Sequence, residues 1–184
     1  SAAGYGFEIF QTKIKDKVLG VLMLSMMVPF AAIMIPLFRM FSNLGLLDTS
    51  IAVILPSLST AFLIFFFRQN TKAFPREILQ AARVDGLSEI QAFFKIYMPT
   101  MKSTYAAAAI ITFMNNWNSF LWPLIVLQSP DKKTLPLIVS SLASGYKPDY
   151  GIIMVAIIII TIPTASIFFL MQKNFVEGVV GSVK

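Results

Sequence analysis

Residues 150–172 read YGIIMVAIIIITIPTASIFFLMQ, a stretch that contains no charged residue. A helix needs about 20 mostly apolar residues to cross the roughly 30 Å hydrocarbon core of a bilayer. A helix on the surface of a soluble bundle would instead carry charged residues on its outer face. The stretch therefore predicts a transmembrane helix.

Three further charge-free stretches lie upstream, at residues 18–38, 50–67 and 103–128. The whole 184-residue chain is 57% hydrophobic and only 13% charged, whereas a soluble domain carries about a quarter charged residues. We therefore predict an all-α fold, a polytopic transmembrane bundle with four spans that forms one transmembrane domain over residues 1–184.

The basic residues divide unevenly between the two sides of these spans. Residues 1–17, 68–102 and 173–184 carry 11 of the 15 Lys and Arg, and residues 39–49 and 129–149 carry the other four. Lys and Arg concentrate on the cytoplasmic side of a membrane protein, so both chain ends are predicted to be cytoplasmic. Because the charges flank apolar runs and form no single soluble face, the net charge of +6 does not indicate nucleic-acid binding.

The residue types that are missing exclude several functions. The chain has no His and no Cys, which excludes a Ser-His-Asp triad, a Cys nucleophile, and metal sites built from thiolates or imidazoles. It also lacks the glycine-rich loop that binds ATP phosphates. The predicted spans hold no carboxylate for proton or sodium coupling. We predict no catalytic residue, no metal site and no cofactor bound by this chain, hence a protein that is not an enzyme.

The first residues, SAAGYGF at 1–7, resemble the small-residue end of another apolar span. They lack the basic leader and the cleavage site of a signal peptide. We therefore expect this chain to be the C-terminal piece of a longer membrane protein.

The segment 68–102 between the second and third spans is predicted to fold as two helices. Pro75 suits a first helical turn, and residues 76–85 form a helix with Ile78, Ala81 and Ala82 on or near one face. Gly86 suits the left-handed position that ends a helix.

The second helix of this segment begins at a capping box made by Ser88 and Gln91 and ends at Pro99. Its apolar stripe comprises Ile90, Phe93, Phe94 and Tyr97. The pattern leaves two interpretations open: the stripe packs against its own bundle or a partner, or the helix rests on lipid headgroups.

A spaced motif in this segment resembles the EAA loop of ABC-importer permeases, E-A-A-x3-G-x9-I-x-L-P. The matching residues are Gln80-Ala81-Ala82, Gly86, Ile96 and Met98-Pro99. Gln80 replaces the Glu of the family pattern and Met98 replaces the Leu. The resemblance favours burial against a partner over a lipid-surface helix.

The resemblance implies that segment 68–102 is a coupling loop docked in a cleft of a cytoplasmic ATPase subunit. Ala81 and Ala82 would allow close approach, or simply pack within the helix pair, and Gly86 would set the turn. Glu77, Arg83 and Asp85 would dock polar groups, and the Gln80 amide would replace a salt bridge by a hydrogen bond. Ile96 and Pro99 complete the motif.

Two more stretches resemble the carbohydrate-type, maltose-like permeases. Residues 117–124, WNSFLWPL, are similar to their W-N-x-F-x-W-P-L segment, and the tail 173–184 is similar to their C-terminus. In those permeases the tail reaches toward the ATPase dimer, which implies contacts with the ATPase from Gly178, Gly181 and Lys184. The two glycines would keep the backbone of the tail flexible. The alternative is an ordinary frayed end.

Polar residues inside the third span are the candidates for a substrate path: Asn115, Asn116, Trp117, Asn118 and Ser119. Amide and hydroxyl groups beside an aromatic ring suit a sugar. The same residues equally suit hydrogen bonds between membrane helices. Ser57, Ser59 and Thr60 in the second span are weaker candidates, because a hydroxyl there can bond its own preceding turn.

The predicted function is therefore a permease subunit of an ATP-driven ABC importer for a sugar or sugar-like solute in the bacterial inner membrane. The resemblance implies two ATPase subunits, which bind the ATP, a second permease of different sequence and an extracytoplasmic solute-binding protein. That protein would dock on the loops 39–49 and 129–149. The alternative is a passive channel or scaffold whose amphipathic loop lies on the lipid surface.

Overall fold

The computed structural model describes residues 1–145 and 148–180, with side chains described up to residue 172. Helices are the regular elements of these residues, and they are named here in chain order: α1 Ala2–Ile9, α2 Lys13–Ser25, α3 Phe30–Asn43, α4 Ser50–Ile54, α5 Ala61–Thr71, α6 Arg76–Val84, α7 Glu89–Ala92, α8 Met98–Thr100, α9 Lys102–Trp117, α10 Leu121–Val126, α11 Leu135–Ala143 and α12 Tyr150–Val180. The all-helical prediction is confirmed.

Two helical stretches in the described residues are long and apolar enough to cross a membrane, Ser50–Thr71 and Tyr150–Gln172. A third is reached only if α2 and α3, which are separated by a short break, count as one span. The predicted span 150–172 lies within α12, and these residues are long and apolar enough to cross a membrane. The predicted span 50–67 is extended to Thr71 and contains a 3₁₀ turn at Leu55–Ser57.

The predicted span 18–38 is divided between two helices. Helix α2 ends at Ser25 and α3 begins at Phe30. Pro29 precedes α3 with extended backbone angles, φ −65° and ψ 139°. Proline has no N–H to donate, and it disfavours a helical conformation in the residue before it. The apolar run is therefore long enough to span a membrane but is interrupted before Pro29.

The predicted span 103–128 is also divided between two helices. Helix α9 ends at Trp117 and α10 begins at Leu121. A continuous helix would bring the Pro123 ring against the carbonyl of Ser119, four residues earlier, and would lose that hydrogen bond. The break at residues 118–120 removes this clash.

The chain divides into two compact units. Unit 1 holds residues 1–27, 61–111 and the described residues from Met171 onward. Its core lies beneath α6 and α7 and contains Tyr5, Phe74, Leu79, Ala82, Ala92, Phe93 and Tyr97. The segment 68–102 is therefore anchored on an apolar core of its own unit.

Unit 2 holds residues 28–60 and 112–170. Its core contains Phe41, Ala52, Trp122, Val126, Leu127 and Leu137. The Trp122 indole donates to the Ala52 carbonyl at 2.8 Å, and its ring meets Phe41 edge-on with centroids 5.6 Å apart. These contacts fix α10 against α3 and α4.

Candidate functional site

The turn between α6 and α7 has the predicted geometry. Gly86 has φ 79°, and the N–H groups of Gly86 and Leu87 donate to the carbonyls of Arg83 and Ala82. This pair of bonds is a Schellman motif, which ends a helix with a left-handed residue. Ser88 and Gln91 form the predicted capping box at the start of α7. The turn is thus fixed by local hydrogen bonds at both sides of Gly86.

Helix α6 turns a different face to the core than predicted. Leu79 and Ala82 are buried, whereas Ile78 and Ala81 are exposed. The apolar stripe predicted for the second helix of the segment is also divided. Phe93 and Tyr97 are buried, and Ile90 and Phe94 are exposed. Segment 68–102 therefore packs on its own unit through one face and leaves a second apolar surface open.

The second helix of the segment is not a regular α-helix throughout. Residues Phe93–Tyr97 form a π-helical turn, and the helix continues past the predicted stop to Thr100, with Pro99 in its last turn. The Tyr97 hydroxyl lies 2.6 Å from Thr71 Oγ1 in the core. Burial raises the pKa of Tyr97 to about 12, so the phenol stays neutral and ties the π-helical turn to the end of α5.

The predicted coupling residues fall into two groups. Glu77, Gln80, Ala81, Asp85 and Gly86 are exposed, as is Pro99. Ala82 is buried, and Ile96 packs against the core of unit 1. Only the first group is accessible to a partner.

Arg83 is engaged within the chain. Its Nε donates to Glu89 Oε1 at 2.7 Å and its terminal nitrogen to Glu89 Oε2 at 3.3 Å. This two-point bond raises the pKa of the Arg83 guanidinium. Arg83 thus joins α6 to α7 across the Gly86 turn, and its role as a docking group stays a prediction.

The most exposed apolar side chains of segment 68–102 lie next to this brace. Val84 is 88% exposed and Ile90 is 72% exposed. We call the exposed surface formed by Gln80, Val84, Asp85, Gly86 and Ile90 the loop tip. An apolar surface held rigid from beneath is typical of a docking site.

An ion cluster at the start of α6 was not predicted. Glu8 of α1 is 3% exposed and pairs with Arg68 and Arg76. In the sequence it is one carboxylate in an otherwise small and apolar stretch. The isolation of this carboxylate is the local signal that it has a special role. It does not identify the partners Arg68 and Arg76, which lie 60 or more residues further along the chain.

The predicted substrate-path residues mostly bond helix backbone. The Asn116 and Asn118 amides donate to the carbonyls of Thr112 and Met114, one turn back, and the Trp117 indole donates to the carbonyl of Ile160 in α12. Asn115 is exposed. Of these bonds only the one from Trp117 joins two helices, which is the kind of contact that the alternative interpretation predicts. The Asn116 and Asn118 bonds are local ones, and the substrate-path role stays a prediction.

A cavity of about 510 Å³ lies in unit 2. Asn116 and Ser119 line it, and Asn115, Trp117 and Asn118 are not among its lining residues. The other lining residues are Phe30, Val53, Pro56, Ser57, Thr60, Phe120, Leu121 and Trp122. The lining thus combines aromatic rings with hydroxyl and amide groups and carries no charge.

The loops at 39–49 and 129–149 contain a second unpredicted cluster. Asp48 has φ 58° and accepts bonds from the backbone of Gln128 and Ser129 at 2.9 and 3.0 Å. Its other oxygen accepts from the Ser129 hydroxyl at 2.5 Å and from Lys132 Nζ at 3.1 Å. The Ser129 hydroxyl and N–H hold the pKa of Asp48 well below its usual range. We call this group the Asp48 clamp.

The predicted tail is only partly described. Helix α12 continues through Val180, so the backbone of Gly178 is helical rather than supple. Gly181 and Lys184 lie outside the described residues. The described part of the chain contains no group of His, Cys, Asp and Glu side chains suited to a metal ion.

Comparison with known proteins places this geometry in a family. The family model described as "Binding-protein-dependent transport system inner membrane component" matches residues 2–181. Lactose transport system permease protein LacG of Rhizobium radiobacter is 59% identical over 184 residues, covering 100% of this chain and 67% of that protein. Arabinooligosaccharides transport system permease protein AraQ of Bacillus subtilis is 40% identical and covers 100% of this chain and 66% of that protein.

A third relative, sn-glycerol-3-phosphate transport system permease protein UgpE of Yersinia enterocolitica, is 31% identical over 99% of this chain. A chain from the crystal structure of a bacterial ABC transporter involved in the import of the acidic polysaccharide alginate has the same fold, with a TM-score of 0.80 at 22% identity over 94% of this chain. The chain spans about two thirds of the length of these curated relatives, their C-terminal part.

These matches confirm the predicted resemblance to ABC-importer permeases and the prediction of an inner membrane transport component rather than an enzyme. In such systems a partner subunit hydrolyses the ATP. The chain belongs to the family of inner membrane components of binding-protein-dependent transport systems.

Proposed function

We propose that this chain is the permease part of an ATP-driven importer for a neutral sugar or oligosaccharide. The observation that supports this most strongly is the match, over the whole of this chain, to permeases named for lactose and for arabinooligosaccharides, at 59% and 40% identity. The match to a glycerol-3-phosphate permease is weaker, at 31%. The uncharged cavity lining also favours a neutral solute, because a phosphate would require a cationic partner.

The topology proposed is four passages through the membrane. Two are the apolar stretches Ser50–Thr71 and Tyr150–Gln172. The broken pair α2 and α3 provides a third, and α9 with α10 the fourth, since non-helical backbone at membrane depth is tolerated where it lines a cavity. The uneven distribution of Lys and Arg supports a cytoplasmic position for both ends of the chain and for segment 68–102.

ATPase coupling is proposed to act through the loop tip. Val84 and Ile90 supply apolar contact area, and Glu77, Gln80 and Asp85 supply polar groups around it. Ala82 and Ile96 hold the tip in shape by packing on the core of unit 1, and Arg83 does so through its bond to Glu89. The exposed Ala81, Gly86 and Pro99 complete the proposed contact surface. The tail residues Gly178, Gly181 and Lys184 are proposed as further contacts with the ATPase subunits.

The substrate path is proposed to include the 510 Å³ cavity of unit 2. The Trp122 and Phe30 rings suit the apolar face of a sugar ring, and Asn116 and Ser119 with Ser57 offer hydrogen-bonding groups. Two of the earlier candidates, Asn116 and Ser119, thus keep this role. Asn115, Trp117 and Asn118 are proposed to shape the path from outside the cavity.

The proposed complex contains two ATPase subunits, a second and different permease, and an extracytoplasmic binding protein. The binding protein docks on the loops that the Asp48 clamp ties together. ATP-driven transport then follows as a population shift, because ATP and the loaded binding protein favour different states of the complex.

The test is uptake of labelled lactose and of an arabinooligosaccharide into proteoliposomes that hold the full-length permease with its partners. We expect uptake that requires both ATP inside and binding protein outside. A charged competitor, glycerol 3-phosphate, should leave it unchanged. Uptake that proceeds without ATP would contradict the proposal and favour a passive channel.

A further inference from the structure

The carboxylate of Glu8 is the most deeply buried charge that the structure describes in unit 1. Its Oε1 accepts from Arg76 at 3.0 Å and from the Gln11 amide at 2.8 Å. Its Oε2 lies 3.4 Å from Arg68 Nε, without the geometry of a hydrogen bond. A carboxylate that is 3% exposed requires such partners, because burial of an unpaired charge is strongly unfavourable.

The partners of Glu8 come from three separate elements. Glu8 belongs to α1, Arg68 to the last turn of α5, and Arg76 is the first residue of α6. Arg76 also donates to the backbone carbonyl of Glu8 at 3.3 Å. Arg68 reaches Asp16 of α2 at 3.7 Å on its other side. The Glu8 carboxylate thus joins the helix that carries the loop tip to α1 and α5, and Arg68 extends the cluster to α2 through Asp16.

Helix α1 is itself held rigidly against α5. A Cβ added at Gly4 would lie 2.6 Å from the Phe67 Cβ and 2.8 Å from the Arg68 backbone nitrogen, so only glycine permits this approach. One residue on, the Tyr5 ring packs 4.7 Å from Tyr97 and 5.1 Å from Phe93. Glu8 is therefore attached to a helix that cannot shift independently of α5.

Apart from the Arg83–Glu89 pair, which joins α6 to α7, α6 packs on the core of unit 1 through the apolar side chains of Leu79 and Ala82. Apolar burial is non-directional and permits small sliding displacements. A charge-assisted hydrogen bond fixes both distance and direction. The Glu8–Arg76 bond is therefore a directional contact between the start of α6 and α1.

We propose that Glu8 is a positioning residue that transmits movement of the loop tip into the membrane helices through Arg76 and Arg68. The proposal rests on the proposed function, because it concerns how ATPase movement reaches the transport path. Neutralising Glu8 or Arg76 should leave ATP hydrolysis running and reduce the amount of sugar moved per ATP.

The experiment measures uptake and ATP hydrolysis together in proteoliposomes that contain the full-length complex, for Glu8→Gln, Arg76→Gln and the double variant. Each single change is expected to lower the sugar imported per ATP about fivefold to tenfold, the range expected for a residue on a coupling route. The double variant should be no worse than the poorer single, since both remove one interaction. Arg76→Lys, which keeps the charge, should recover most of the loss.

The control is Lys17→Gln, which removes an exposed charge of α2 and should behave as wild type. Arg76 is half exposed, so Arg76→Gln reports on the proposal even if Glu8→Gln fails to assemble. An unchanged ratio of sugar to ATP in assembled Arg76→Gln complexes would overturn it, as would losses that add in the double variant. A wild-type complex without ATP-driven uptake would instead refute the proposed function.

Discussion

The two units of the chain each use one carboxylate to tie distant segments together, and they do so by different means. In unit 1 the Glu8 side chain is 4% exposed and is held by the side chains of Arg68 and Arg76. In unit 2 the Asp48 side chain is 22% exposed and is held mainly by backbone N–H groups and the Ser129 hydroxyl.

This difference in partners predicts how much stability is lost when each carboxylate is removed. Loss of Glu8 leaves two guanidinium groups beside a buried site without their common anion, which is costly. Loss of Asp48 leaves backbone N–H groups near the surface, where water can replace the lost acceptor. We therefore expect substitution of Glu8 in unit 1 to lower stability more than substitution of Asp48 in unit 2.

The largest effect is expected for Glu8→Ala. Removing one member of a buried ion pair should lower the free energy of unfolding by about 3 kcal/mol. Thermal unfolding of the full-length protein in a mild detergent measures this, with Glu8→Gln expected to lose less because the Arg76 hydrogen bond survives in part. An unfolding temperature equal to wild type for Glu8→Ala would contradict the assignment of a buried joint.

The second largest loss of stability is expected for a substitution where α1 crosses α5. Gly4→Leu has no space and is expected to cost about 2–3 kcal/mol, as overpacking does in other cores. The matched control is Gly6→Leu, since nothing lies within 4 Å of a Cβ at Gly6. Equal unfolding temperatures for the two variants would show that α1 is not held against α5.

Asp48 should give an intermediate effect that depends on the replacement. Asp48→Ala loses every clamp bond and places alanine at φ 58°, so the two loops should be held together less firmly. Asp48→Asn keeps an acceptor and tolerates the left-handed conformation, so it should lose less. The measurement is the binding-protein concentration that gives half-maximal ATPase activity, which should rise more for Ala than for Asn.

The pH dependence of the Asp48 clamp follows from its lowered pKa. A carboxyl whose folded pKa lies below its unfolded value of about 3.9 stabilises the fold above that value. The contribution disappears only as the pH falls through the lower folded pKa. The half-maximal binding-protein concentration should therefore be the same at pH 7 and pH 5 for wild type, and a marked rise at pH 5 would contradict the clamp.

The smallest effect is expected for Tyr97→Phe. The change removes one buried hydrogen bond to Thr71, and Thr71 still donates to the Phe67 carbonyl. The cost should be about 1 kcal/mol. If Tyr97→Phe lowered the free energy of unfolding as much as Glu8→Ala does, the π-helical turn would contribute as much to the stability of unit 1 as the Glu8 ion cluster, which would contradict the expected order.

The parts of the fold that the sequence predicted correctly are local ones. The Gly86 turn and the Ser88 capping box depend on residues within five positions, and both are observed. The buried face of α6 was predicted less well, because Ile78 and Leu79 are equally apolar and only the tertiary partner decides between them. Hydropathy identified the apolar runs at 18–38 and 103–128 but did not report the backbone breaks at Pro29 and before Pro123.

The two joints could not be predicted for a different reason. Glu8 and Arg76 are 68 residues apart, and Asp48 and Ser129 are 81 residues apart. Nothing in either local pattern points to the partner. Of the candidate cluster at 115–119, Asn116 and Ser119 line the cavity, whereas the Asn118 amide bonds the carbonyl of Met114; the sequence pattern does not distinguish these orientations.

The most direct test of coupling through the loop tip is co-purification of the ATPase subunit with the full-length tagged permease. Val84→Arg places a charge on the exposed apolar tip without disturbing the core, and it should abolish recovery of the ATPase. The control is Leu44→Arg, the same chemistry at a 62% exposed site of unit 2 that we propose to lie on the opposite side of the membrane. Full recovery of the ATPase with Val84→Arg would contradict docking at the loop tip, whereas loss with Val84→Arg alone is the result expected.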